Sequence, residues 1–149
     1  MLSRVNGLGP RLITSLLDQF GSAEQVLQQP SERLLQINGL GPAVCKRITS
    51  TSRTDTLAYL KRCTDLNVSL RQMDSNDYPA ALTQIPDSPP LLYCRGTLTP
   101  HDDLAIGIVG SRRCSPYGIR NADRLAGSLV RAGFTIVSGL ARGIDAAAH

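Results

Sequence analysis

The sequence predicts an α/β chain with an all-helical front and an incomplete parallel sheet behind it. Two observations carry this prediction. A Gly-Leu-Gly-Pro turn occurs twice within the first 66 residues, and a strand–helix–strand apolar pattern begins after residue 104. A third, a proline-rich stretch between them, marks the change of character.

In the front, Asn6-Gly7-Leu8-Gly9-Pro10 recurs as Asn38-Gly39-Leu40-Gly41-Pro42. Each copy follows a β-branched residue, Val5 or Ile37, and precedes an apolar helical pattern. The first pattern is Leu12, Ile13, Leu16, Leu17, Phe20; the second is Val44, Arg47, Ile48. Pro10 and Pro42 stand where proline favours the first helical position. Between the copies, Ser22 and Gln25 have the spacing of a capping box for a short helix over 23–29. Thr54 is expected to cap a further helix over 55–66. Residues 1–66 thus read as an all-helical domain of about five helices, of helix-hairpin-helix/SAM-like type.

The middle holds two short strands, over 68–71 and 91–94, punctuated by Tyr78-Pro79, Pro86 and Pro89-Pro90. It is expected to lead into the next domain, which places the boundary at 66/67 and a second domain over 67–149. From 105 to 109 a continuous apolar run predicts a buried parallel strand. A polar loop follows over 110–118. Residues 119–132 carry an apolar stripe at 119, 122, 125, 126, 129 and 130, with Arg120, Arg124 and Arg131 opposite. Gly133 stops that helix, and 134–138 is the next strand. This is a βαβ unit, expected to cross over right-handedly, of a Rossmann-like parallel sheet. The chain reaches His149 as another helix should begin. Two or three strands make a poor sheet alone, so a truncated Rossmann-like domain from a longer protein is expected.

Composition narrows the function. Of the 149 residues, 42% are apolar, which excludes a disordered tail. Aromatics make up 4% and tryptophan is absent, which argues against a broad stacking platform for bases. The net charge of +4 is uneven. Residues 1–64 carry eight Lys/Arg against four Asp/Glu, 65–103 carry two against six, and 104–149 carry six arginines against two aspartates. Two basic blocks suit a polyanion, and an all-arginine block suits bidentate phosphate contacts; ordinary surface charge is the competing reading. Cys45, Cys63, Cys94 and Cys114 show no metal-knuckle spacing and read as free thiols of a reducing cytosol. No signal peptide and no membrane-spanning run is present. A cytoplasmic protein without membrane, metal or cofactor is expected.

Three constellations carry chemistry. The Gly-x-Gly-Pro turns leave bare backbone before a helix start, an arrangement that cradles phosphate without reading a base. The second copy is favoured, with Gly39, Gly41, Lys46 and Arg47 as a secondary DNA contact; a packing turn is the alternative. The second constellation, Gly110-Ser111-Arg112-Arg113, follows a strand, where open parallel sheets bind ligands. Gly110 would allow close approach, Ser111 a hydroxyl, and Arg112 a charged fork. It is neither a dinucleotide fingerprint nor a Walker A loop. The third, Ser138-Gly139-Leu140-Ala141-Arg142-Gly143-Ile144-Asp145, should lie beside it at the same sheet edge. Asp145 and His149 could share one helical face as a metal or acid–base pair. The favoured reading makes Asp145 the residue that caps or orients the turn. No catalytic set can be assembled.

Tyr78-Pro79 with Leu82, Pro89-Pro90-Leu91-Leu92-Tyr93 with Gly96, Ile108-Val109-Gly110-Ser111-Arg112, and Val137 through Asp145 with His149 resemble, in order and spacing, the DprA/Smf family of DNA-processing proteins. The likeness covers 68–149, and the helical front resembles the N-terminal domain many members carry. It implies an extended Rossmann-like domain, single-stranded DNA in a basic pocket, and delivery of that DNA to RecA during natural transformation. It implies that Arg112 grips a phosphate and that Ser138 and Gly139 line the same pocket. The expected DNA-binding set is Gly110, Ser111, Arg112, Arg113, Ser138, Gly139, Arg142 and Gly143. The family's homodimer surface and RecA contact are expected to lie past His149. Two other readings compete: a nucleotide-binding enzyme of the nucleoside-monophosphate phosphoribohydrolase type, which needs an Arg/Glu region not visible here, and a helix-hairpin-helix module acting alone.

Overall fold

The computed structural model describes residues 1–149, which form two compact units, Met1–Gly96 and Thr97–His149. The first contains a 3-10 turn (Leu2–Arg4), α1 (Pro10–Phe20), α2 (Ala23–Leu27), α3 (Ser31–Leu34), α4 (Pro42–Thr49), α5 (Arg53–Asp65), β1 (Val68–Gln72), α6 (Ala80–Thr83) and β2 (Leu91–Arg95). The second contains a 3-10 turn (Pro100–Asp103), β3 (Ala105–Gly107), α7 (Pro116–Arg131), β4 (Thr135–Val137) and α8 (Ile144–Ala147).

The sequence repeat is a structural repeat. The Leu8 amide donates to the Val5 carbonyl at 3.0 Å, and Leu40 to Ile37 at 3.1 Å. Gly7 and Gly39 take the third place of these β-turns at φ +86° and +88°, where a side chain would cost about 1–2 kcal/mol. Gly9 and Gly41 then cap α1 and α4, each with proline at the start. The packing is reciprocal. A Cβ on Gly7 would touch Val44 of α4, and one on Gly39 would touch Leu12 of α1. Leu12 and Val44 are the same position of the two copies, so each turn rests on the other copy's helix. Val5, Leu8, Ile37 and Leu40 are buried with Leu16, Val26, Leu34 and Ile48 in one core. Burying each such side chain stabilises by about 1.5–3 kcal/mol.

α5 begins two residues earlier than expected. Ser52, not Thr54, caps it, its Oγ accepting from the Asp55 amide at 3.3 Å. β1 and β2 pair antiparallel, Val68 opposite Arg95 and Gln72 opposite Leu91. Buried Tyr78 pins the connecting loop through its hydroxyl, which donates to the Pro89 carbonyl at 2.8 Å. Tyr93 of β2 meets Tyr59 of α5 edge-on, with ring centroids 6.0 Å apart. The hairpin therefore packs with the helices, and the boundary expected at 66/67 lies inside the first compact unit.

In the second unit β3 and β4 pair parallel, Ala105 opposite Thr135 and Gly107 opposite Val137, with α7 as the crossover. α7 starts at Pro116, earlier than expected, because Ser115 Oγ caps the Gly118 amide at 3.2 Å. Ala122 and Ala126 are buried, and Ala126 and Leu129 pack with Ile106, Ile108 and Ile136. Ile119, Leu125 and Val130, also expected in the stripe, stay exposed. Two strands of three residues cover only its centre. Gly133, at φ +93°, follows the end of the helix in the left-handed conformation that stops it. All four cysteines are free. No helix is long and apolar enough to cross a membrane.

Candidate nucleic-acid interface

Parallel pairing brings the carboxyl ends of β3 and β4 to one edge, where the Ile108 amide donates to the Val137 carbonyl at 2.9 Å. The chain leaves β3 through Gly110-Ser111-Arg112-Arg113 and leaves β4 through Ser138-Gly139. Asp145, in the first turn of α8, ties the two loops together. Its Oδ1 accepts from the Gly110 amide and its Oδ2 from the Gly139 amide, each at 3.0 Å. The residue is only 5% exposed. A buried carboxylate with two amide donors is a charge-assisted brace. The orienting role expected of Asp145 is the one it plays.

The glycines of these loops serve contact between chain segments. A Cβ on Gly110 would fall 2.7 Å from the Cβ of Ile144. One on Gly143 would fall 2.2 Å from the Ser111 carbonyl oxygen. The expectation that Gly110 offers bare backbone to a ligand is corrected: its amide is taken by Asp145 and Ile144 packs against the place of its side chain. The Gly139 amide is likewise taken.

Both serines turn to their own loops. Ser111 Oγ donates to the Arg113 carbonyl at 2.9 Å and accepts from the Arg113 amide at 3.1 Å. Ser138 Oγ accepts from the Leu140 amide at 3.1 Å and lies 2.8 Å from His149 Nε2. The hydroxyl expected to face a ligand at Ser111 instead shapes the turn. The metal or acid–base reading of Asp145 with His149 gives way for the same reason: both carboxylate oxygens hold amides, and His149 bonds to Ser138.

What projects is positive charge. Arg112, Arg113 and Arg142 are exposed, and none forms an ion pair. Sequence reasoning missed the plug at Ile144 and the close backbone contact at Gly143. Their only signal is the Gly-Ile-Asp order at the start of α8, which has no meaning until the loop opposite is known.

The second Gly-x-Gly-Pro turn is partly as expected. Gly39 is exposed, and a Cβ on Gly41 would meet nothing within 4 Å, so the start of α4 is open. Lys46 and Arg47, however, occupy the last turn of α4, not its start, about 6 Å of rise from Pro42. Arg47 Nη1 donates to the Asn6 carbonyl at 2.8 Å, inside the first copy's turn. At the start of α1, Arg11 is held by Asp87 through both carboxylate oxygens. That pairing holds the Asp87 carboxyl below the usual carboxylate range.

Comparison with known proteins agrees with this architecture. Residues 69–149 match the family described as DNA recombination-mediator protein A, and residues 1–54 match the SAM-like helix-hairpin-helix tandem family. The chain is 34% identical over 152 aligned positions to Protein Smf of Synechocystis sp., covering 99% of the chain and 38% of that protein. It is 42% identical over 72 positions to DNA processing protein DprA of Streptococcus pneumoniae, covering 48% of the chain and 25% of that protein. The X-ray structure of DNA processing protein A from Streptococcus pneumoniae superposes with a TM-score of 0.68 at 29% identity, covering 98% of this chain and 50% of that one. The chain thus spans half the length or less of these relatives. With a tandem helix-hairpin-helix front and the strand-end loops braced by Asp145, it belongs to the DprA/Smf family of DNA-processing proteins.

Proposed function

We propose that this chain binds single-stranded DNA through Arg112, Arg113 and Arg142, as the front part of a non-catalytic, cytoplasmic recombination mediator that passes the strand to RecA in natural transformation. One observation carries the reading: three exposed, unpaired guanidinium groups stand on the two loops that Asp145 holds together. Rigid loops lower the ordering cost of each phosphate contact, and guanidinium forks match phosphate oxygens. Family membership supports the same reading. In it, Gly110, Gly139, Gly143, Ser111 and Ser138 shape the loops, and the arginines make the contacts. Gly39 and Gly41 offer a secondary contact at the open start of α4, with Lys46 on its last turn as a further cation. RecA and a homodimer are proposed as partners of the longer protein, with no residue of this chain assigned to either. The domain boundary proposed at 66/67 falls in the gap between the two family matches, which end at residue 54 and begin at residue 69, and the compact unit runs past it because β2 packs on α5.

The family match and the relatives favour the mediator over the enzyme reading. The test is anisotropy titration of a labelled single-stranded oligonucleotide. Arg112→Ala is expected to weaken binding about tenfold, as loss of one charge-assisted phosphate contact. An affinity equal to that of the unsubstituted chain would remove Arg112 from the interface.

A further inference from the structure

The first unit holds a second cluster of unpaired cations, distant in sequence from the strand-end loops. A cavity of about 270 Å³ is lined by Arg4, Arg47, Ser50, Thr51, Ser52 and Asp55, among others. It lies where the end of α4, the start of α5 and the first Gly-x-Gly-Pro segment meet. Both guanidinium groups are pinned by neutral partners. Arg4 lies 4.1 Å over the Tyr59 ring and donates through Nη1 to the Asp55 carbonyl at 3.2 Å. Arg47 donates through Nη1 to the Asn6 carbonyl at 2.8 Å. Neither forms an ion pair.

Each arginine carries five N–H donors, and one on each is used by a backbone carbonyl. The remainder have no carboxylate to meet, although Asp55 lies on the same wall. Two guanidinium charges against one carboxylate leave the cavity net positive. The start of α5, a helix of 13 residues, adds the positive end of its dipole from Ser52 onward. Ser52 lines the wall with an O–H left to donate, its Oγ accepting from the Asp55 amide, while the Ser50 and Thr51 hydroxyls donate to the Arg47 carbonyl. Ordinary surface arginines are mobile. These two, although exposed, are each held by a backbone carbonyl, which lowers the ordering cost of gripping an anion. The N–H groups left on the two forks supply more donors than the two oxygens of a carboxylate require, and match an oxyanion with three or four oxygens.

We infer that the cavity between Arg4, Arg47 and the start of α5 is a phosphate-binding site, separate from the strand-end arginines. The phosphate can come from the DNA backbone or from free phosphate, and the chemistry at Arg4 and Arg47 is the same for both. The site stands independently of the reading given for Arg112.

The test follows the Nε–Hε signals of Arg4 and Arg47 by NMR in the full chain. Inorganic phosphate and a single-stranded oligonucleotide are titrated in parallel, with chloride at equal ionic strength as reference. Saturable shifts at Arg4 and Arg47 with phosphate are expected, unchanged in Arg112→Ala and weakened about tenfold in Arg47→Gln. A spectrum otherwise matching the unsubstituted chain shows that Arg47→Gln is folded. If that variant unfolds, Arg4→Lys, which keeps the charge and loses the fork, supplies the comparison. Shifts with the oligonucleotide as well identify the DNA backbone as a source; shifts with phosphate alone identify free phosphate. Absence of saturable shifts at both arginines with either probe overturns the site. So does a response that disappears in Arg112→Ala while Arg47→Gln retains it.

Discussion

Asp145 does two jobs with one side chain, receiving the amide of one strand-end loop on each oxygen. Asparagine has the same shape but a single acceptor oxygen, so its NH2 group would face an amide donor. Leaving a buried donor unpaired costs about 1–3 kcal/mol. Asp145→Asn is therefore expected to lower the stability of the second unit by that amount and to speed hydrogen exchange at the Gly110 or Gly139 amide. Unchanged protection at both amides would refute the brace. The sequence placed Asp145 in a turn but did not name its partners. Gly110 is 35 positions away, and nothing local marks its amide as the donor. The same holds for Gly143: its neighbour Ser111 is unknowable until β3 and β4 are paired.

At the level of elements, the helix starts follow rules of a few residues. Pro10 and Pro42 open α1 and α4 as their spacing predicts. The start of α5 was misread because Ser52 and Thr54 are both acceptable caps, and local chemistry alone does not choose between them. The structure chooses Ser52, since Thr56 at the inward position is buried and its Oγ1 donates back to the Ser52 carbonyl at 2.9 Å. Ser52→Ala is expected to destabilise the first unit by about 1 kcal/mol in urea unfolding, and Thr54→Ala by much less. Equal effects would contradict the assignment. The hairpin of β1 and β2 was visible as two strands, but not its packing against α5, because Tyr59 and Tyr93 are brought together only by the folded chain.

For the whole molecule, charge is the property that reads through from sequence to surface. The arginine block after residue 104 contains six arginines, and none of them is consumed by an ion pair. If Arg112, Arg113 and Arg142 each meet one phosphate, affinity for single-stranded DNA should fall with salt at a log–log slope of about −2, from roughly −0.7 per contact. Arg112→Ala should make that slope shallower by about 0.7. A slope equal to that of the unsubstituted chain would mean that Arg112 meets no phosphate, whatever the change in affinity.

The doubled turn, the helix stripes, the two strands ending in glycine loops and the arginine excess are all short-range or compositional properties, and the sequence by itself determined them. Only the tertiary structure decided which loop atoms remain available. It spent the Gly110 amide on Asp145, packed Ile144 where a Gly110 side chain would lie, and carried Arg47 away from its own turn toward Asn6. The physical reason is that each donor or acceptor pairs with whatever the fold brings within hydrogen-bond range. That partner is set by strand pairing and helix packing across tens of residues, beyond the reach of any local pattern.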